Sequence, residues 1–240
     1  GLAKAHMKRF GTTQEQMAII ASKNHTHASL NPKCHYNKQM DVKEVMSGRP
    51  LTYPLTVPMC SPLSDGASAA ILCTKKGMNR LGISKAVKVL SCRLGSAAIR
   101  VYEDFDNHIT RRLSRQAYEE AGLGPEDMDL AEVHDAASFG EIVQSEMLGF
   151  CPLGEGGPFA QSGATQLGGK MPINVSGGLE SKGHPVGATG LGQIYELVTQ
   201  LRGEAGKRQV KNARFAIQEN GGGLVGVEEA SAVVTILGKN

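Results

Sequence analysis

The stretch Ile173-Asn174-Val175-Ser176-Gly177-Gly178-Leu179-Glu180-Ser181-Lys182-Gly183-His184-Pro185-Val186-Gly187-Ala188-Thr189-Gly190 decides the fold. It runs into a segment in which Leu191, Ile194, Leu197, Val198 and Leu201 recur on one helical face, with Gly203 as a stop. The spacing predicts a glycine-rich loop opening onto a helix, with His184 at its mouth. Glycine lets a ligand approach there, the first amides of a helix attract negative charge, and an imidazole exchanges protons near neutral pH. On its own terms His184 is either such a proton carrier or a residue that caps the helix.

Working outward, Arg214–Gln218 and Ser231–Leu237 read as strands flanking a loop that contains Gly221, Gly222 and Gly223. Upstream, Leu130–Val133 reads as a short strand that delivers His134 and Asp135 at its end, and a helix follows over Gly140–Leu148. Ile109–Ala121 is amphipathic and ends at Gly122, and Ala86–Ser91 is another strand. The run Ser64–Cys73 is small and apolar on both faces, which predicts a strand buried between layers. Thr12 and Thr13 stand at capping-box spacing from Glu15 and Gln16, predicting a helix over 13–27. Residues 31–58 are polar and broken by Pro32, Pro50, Pro54 and Pro58, with one amphipathic piece at Asp41–Met46, so an irregular cover is expected.

Strands alternating with helices indicate α/β layers, and ligands of such sheets gather beyond the carboxyl ends of strands. His134 and Asp135 are therefore a second candidate pair. Convergence with His184 and two unrelated turn residues both fit the spacing. The pair of close histidines in Asn24-His25-Thr26-His27 lacks acidic or cysteine companions and reads as a solvated helix end, not a metal site.

The 240 residues are 40% hydrophobic and 20% charged, the balance of a folded globular chain, so disorder is not indicated. A net charge of +3, spread along the chain, gives neither a nucleic-acid footprint nor a polybasic membrane patch, and leaves an anionic small ligand compatible. Cys34, Cys60, Cys73, Cys92 and Cys151 are odd in number and form no Cys-x-x-Cys pair, which predicts reduced thiols and no structural zinc. The start has no apolar leader and no initiator Met, and no run is long enough to cross a bilayer. A soluble chain whose first residue is not a natural start is expected.

Several blocks, in order, resemble the C-terminal half of sterol-carrier-protein-type thiolases. They are Glu132-Val133-His134-Asp135, Leu148-Gly149-Phe150-Cys151-Pro152, Gly168-Gly169-Lys170, Asn174–Gly178, Ser181–Gly190 and Leu201–Val210. Upstream, Cys60–Ala67 resembles a thiolase strand, and residues 1–50 resemble the loop domain that covers coenzyme A. The resemblance implies the five-layered α-β-α-β-α thiolase fold in partial copy. Residues 1–50 would be the loop domain, 51–95 the end of the N-terminal half and 96–240 the C-terminal domain.

It further implies acyltransferase chemistry on a 3-oxoacyl-CoA, by thiolytic cleavage or Claisen condensation, in lipid, sterol or aromatic-acid metabolism. His184 would deprotonate a nucleophilic cysteine and help hold the thioester oxygen, and His134 would supply the other part of that oxyanion site. Ser61 aligns with a serine that bonds the pantetheine arm. Asn174, Ser176, Gly177 and Gly183 would shape the acyl-CoA pocket, and Lys182, Arg202, Lys207 and Arg208 either meet CoA phosphates or are solvated. Coenzyme A enters as substrate, with no covalent cofactor and no metal. The family suggests a homodimer, and in some members a small partner with a zinc ribbon and an OB-fold. A cytoplasmic location is expected, peroxisomal in a eukaryote.

Two departures stand out. The family's nucleophilic cysteine lies upstream of the loop domain, and no cysteine here corresponds to it, so this chain alone should not turn over. Many relatives carry a proton-transferring cysteine where this chain has Ala136; Glu219, near the position of another thiolase acid–base cysteine, is either its replacement or a loop carboxylate bonded to backbone amides. A thiolase-like retro-aldol lyase on a CoA ester and a non-catalytic subunit are the competing readings.

Overall fold

In β5 (Phe215–Gly222) and β6 (Ser231–Lys239) the side chains alternate between two buried faces, as the two-residue period of a strand requires. With β3 (Val87–Ser96) and β4 (Leu130–Glu132) they form a four-stranded sheet in the order β3-β6-β5-β4, apart from the small pair β1 (Pro50–Thr52) and β2 (Leu55–Thr56). Only β4 and β5 run parallel, with Leu130 opposite Ala216 and Glu132 opposite Gln218. The computed structural model describes residues 1–239.

On one face Ala131, Ile217 and Ile236 meet Ile109, Leu113 and Ala117 of α5 (Ile109–Ala121). Their chain neighbours Leu130, Ala216 and Leu237 point the other way, into Leu197 and Leu201 of α9 (Thr189–Leu201). Each Leu or Ile so buried contributes roughly 1.5–3 kcal/mol. The sheet is thus held between two helical layers, and α5 stops at Gly122 with φ 66, a left-handed turn that glycine adopts without strain.

A third apolar cluster binds the first helices to the rest. Met17, Ile20 and Ala21 of α2 (Gln14–Ala28) pack with Val45 of α3 (Val42–Ser47), Ile142 of α6 (Ser138–Met147) and Ala160 of α7 (Gly156–Gln161). The helix α1 (Leu2–Phe10) leads in. α2 starts on a capping box, with Thr13 and Gln16 exchanging bonds of 3.1 and 3.0 Å, and α3 on another formed by Asp41 and Glu44. Such caps contribute about 1 kcal/mol each.

Three expectations are corrected. Residues 64–73 form no strand; Ile71 is 92% and Leu72 84% exposed, and Leu63 makes only an isolated bridge to His184. A buried strand needs neighbours along its edges and on its faces, and the described residues offer it none. A short helix, α4 (Lys75–Arg80), follows. Second, the late strand runs on through Glu219 to Gly222, so Glu219 belongs to the sheet and not to a loop.

Third, the end of α2 is not solvated: His25 and His27 are each only 3% exposed, because α3, α6, α7 and α8 (Gly178–Lys182) enclose this helix. His27 donates from Nδ1 to the Asn174 carbonyl at 3.0 Å and accepts the Leu167 amide on Nε2 at 3.0 Å. Burial, reinforced by Lys23, pushes its pKa down to about 3. An unfolded chain therefore binds a proton that the folded one refuses below the ordinary histidine value of 6.5. The stability from His27 is complete above that value and is lost progressively as pH falls towards 3. Urea unfolding should show stability declining from about pH 7 to about pH 4, with a shallower decline in His27→Gln. Equal slopes would contradict this account.

Candidate active site

His134 leaves the carboxyl end of β4 two residues beyond Glu132, and His184 follows Gly183 between α8 and α9. Gly183 has φ 103, and a Cβ there would stand 2.7 Å from Ser64 Oγ, so the loop can pass this close only without a side chain. Fifty residues apart in sequence, the two imidazoles meet with Nε2 to Nε2 at 3.4 Å and ring centroids 5.0 Å apart.

The hydrogen bonds of His184 assign its tautomer, and that of His134 follows from the pairing. His184 Nδ1 lies 2.7 Å from Thr189 Oγ1, whose hydroxyl donates to the Pro185 carbonyl at 3.1 Å. Nδ1 therefore carries the proton and Nε2 presents a lone pair. His134 faces it with an Nε2–H donor. Burial and the neighbouring His184 push the pKa of His134 down to about 4, and burial with Lys182 lowers that of His184. Near neutral pH the pair combines one basic nitrogen with one neutral donor.

Glu219 lies beneath, fully buried, with Oε2 accepting the His134 amide at 3.0 Å and Oε1 without a partner. Burial, then the carboxylate of Glu229, pushes its pKa well up. Both features in the two sequence alternatives are present: a bond to a backbone amide and a raised proton affinity. Ser61 joins through its backbone, donating its amide to Ala136 at 2.9 Å, while Cys60 bridges Ala137. The methyl group of Ala136 adds no proton carrier.

The other sequence candidates divide between scaffold and cleft. Asn174, at φ 56, accepts the Val133 amide at 2.8 Å and donates to Glu141 at 3.0 Å, so it is sealed inside and braces the strand leading to His134. Gly177 is buried against Ala28. Ser176 and Gly183 do line a cleft of about 420 Å³ beside His184, together with Lys33, Ser64, Lys182 and Tyr195. Ser176 is itself anchored, giving its amide and hydroxyl to Glu132 at 2.9 and 2.5 Å, with Lys182 Nζ 3.0 Å from the hydroxyl. Arg208 takes neither role foreseen for it, since it is buried in an ion pair with Glu196 at 2.9 Å; Arg202 bonds the Lys85 carbonyl at the surface.

Sequence reasoning missed the acidic frame under the histidines. Asp135 accepts the Leu179 amide at 2.8 Å and the Asn24 side chain at 2.9 Å, and the same Asn24 amide reaches Glu180 at 3.0 Å. The segments bearing His134 and His184 are thereby tied to each other and to α2. The available signal was an acidic residue, Glu180, inside a run of small residues.

Three of the five cysteines are kept as thiols by burial. Burial pushes Cys34 up to about 12, Cys60 up to about 11 and Cys151 up to about 12, and Cys73 and Cys92 are exposed. Among the described residues no group of three His, Cys, Asp or Glu side chains is placed to hold a metal, and no helix is long and apolar enough to cross a membrane.

Residues 94–239 match the family model described as thiolase C-terminal domain-like. The chain belongs to the thiolase family. The matched thiolase stretch holds His134, Asn174, His184 and Glu219. The chain is 45% identical over 226 residues to "Sterol carrier protein 2" of Oryctolagus cuniculus, covering 90% of this chain and 41% of the relative. It is 43% identical over 230 residues to "Acetyl-CoA acetyltransferase" of Methanothermobacter thermautotrophicus, covering 94% and 59%. The structure superposes on "Ltp2-ChsH2(DUF35) aldolase" with a TM-score of 0.83 at 23% identity, over 99% of this chain and 62% of that one, a likeness of fold. This chain thus spans about half the length of the curated thiolase relatives it matches.

Proposed function

We propose that this chain supplies the proton-handling half of a CoA-dependent acyltransferase that cleaves a 3-oxoacyl-CoA with coenzyme A, or runs the reverse condensation. One observation carries the reading: two imidazoles from distant segments present a lone pair and an N–H side by side, 3.4 Å apart, at the carboxyl end of a sheet.

In the cleavage direction, His184 Nε2 takes the proton of a cysteine thiol supplied from outside this stretch. The thiolate attacks the 3-oxo carbonyl and the bond between carbons 2 and 3 breaks. Its electron pair moves into the thioester enolate, whose oxygen accepts hydrogen bonds from His134 and from protonated His184; directed donors of this kind are worth ~3–4 kcal/mol. Carbon 2 takes a proton from the Glu219 carboxyl, and the acetyl-CoA departs. An incoming CoA thiol gives its proton to Glu219, attacks the acyl-cysteine, and the released thiolate recovers its proton from His184. Protons balance over the cycle.

The reading includes a homodimer and, as in some relatives of this branch, a small zinc-ribbon and OB-fold partner. Ala136 favours a retro-aldol lyase to the extent that the usual proton-transferring thiol is missing; a lyase consumes no CoA thiol, so dependence of cleavage on added CoA separates the two.

In the complete enzyme, Glu219→Gln is expected to slow exchange of the acyl-CoA α-proton with D2O, followed by NMR, at least about a hundredfold. Exchange at the parent rate would remove Glu219 from the mechanism.

A further inference from the structure

The turn between β5 and β6 brings a second carboxylate towards Glu219. Val225 and Glu228 bond each other across a tight turn, with Gly226 at φ 63. Glu228 is then locked by three donors: the Ala98 amide at 2.9 Å, Arg100 Nε at 2.7 Å and the Ile109 amide at 2.9 Å. That anchor fixes its neighbour Glu229. A Cβ on Gly221 would lie 2.3 Å from Glu229 Cγ and 3.1 Å from its Oε1, so the Glu229 side chain fills the space a residue at 221 would use.

Strand alternation puts positions 219 and 221 on the same face, roughly 7 Å apart along the strand. Glu229 thus lies one pleat from Glu219. Gln144 of α6 donates to Glu229 Oε1 at 3.1 Å and holds it there.

The charges around the two acids leave both without a cation. Glu228 and Arg100 face Glu229, but Arg100 is committed to Glu228; Asp135 faces Glu219, and His134 meets it through its backbone amide. Oε1 of Glu219 is buried with no partner, whereas Glu229 is only partly buried. Two carboxylates on one face of a strand, with no counter-ion of their own, oppose each other's ionisation.

We infer that Glu229 is a positioning residue of the acid–base site: its charge, one pleat away, governs whether Glu219 holds its proton. This rests on the reading of Glu219 as the group that exchanges the α-proton.

Two measurements test it. First, the chain labelled with 13C at the glutamate side-chain carboxyls is titrated by NMR, with Glu219→Gln and Glu229→Gln used for assignment. In Glu229→Gln, which preserves shape and the acceptor for Gln144, the Glu219 midpoint is expected to drop by about 1–2 pH units. A midpoint unmoved beyond a few tenths of a unit overturns the pair.

Second, the pH profile of α-proton exchange is recorded in the complete enzyme. Exchange needs Glu219 ionised, so its rising limb moves to lower pH in Glu229→Gln. On the parent's rising limb the variant exchanges about tenfold faster, a factor that follows from a one-unit shift. Glu229→Asp, which restores the charge, should move the limb back. If Glu219→Gln abolishes exchange while the Glu229→Gln limb stays in place, the pairing alone is wrong. If Glu219→Gln exchanges like the parent, the functional reading fails, and the NMR titration still decides the pairing.

Discussion

His184→Ala in the complete enzyme is expected to lower kcat/KM for thiolysis by about a thousandfold, roughly 4 kcal/mol in the barrier, with little change in stability. The kinetic effect is large because Nε2 is the basic nitrogen of the site and, once protonated, one of two donors to the enolate oxygen. Stability should hardly move, since the ring is half-buried and its bonds to protein are with Thr189 and His134. Thr189→Val provides a graded companion: it frees Nδ1, lets the proton sit on either nitrogen, and should cost less than the alanine variant. Steady-state kinetics with urea unfolding on the same samples check both halves. A loss below tenfold in His184→Ala would fit a subunit that assembles without taking part in chemistry.

The largest stability effect is expected at Gly178. A Cβ there would sit 2.3 Å from Asp135 Oδ2 and 2.7 Å from Asn24 Nδ2, in a backbone at φ 60. Gly178→Ala must therefore push apart the acidic frame that joins the two histidine segments, in addition to the left-handed strain. About 3–5 kcal/mol of destabilisation is expected, with activity falling in parallel. Gly206 gives the control, because it has φ 59 and nothing within 4 Å of its built Cβ. Gly206→Ala should carry only the conformational cost, about 1–2 kcal/mol. If both variants unfold at the same urea midpoint, the steric role assigned to position 178 is wrong.

Elements whose signals are local were legible in the sequence. The Thr13 cap, the Gly122 stop and the one-sided apolar repeat of α9 each state their structure within a few residues, and the structure follows them. The His134 and His184 segments could be named, but only tertiary pairing brings their rings together. What failed depended on distant partners. Residues 64–73 have the composition of a buried strand, yet composition cannot supply neighbours to bond with. On α2 the face carrying Met17 and Ile20 was readable, whereas Lys23, Asn24 and His27 look like solvent residues until α6, α8 and the Asn174 turn close over them. Glu219 illustrates the same limit: its type suggested a proton carrier, but its place inside a strand follows from pairing with Val234 across the sheet.

The Asn24 side chain joins segments 111 and 156 residues away along the polypeptide. Contacts of such long range close late, because the entropy of bringing remote segments together must be met before the contact gives anything back. Refolding should therefore restore helical and sheet signals before the imidazoles come into register, so recovery of activity lags behind circular dichroism.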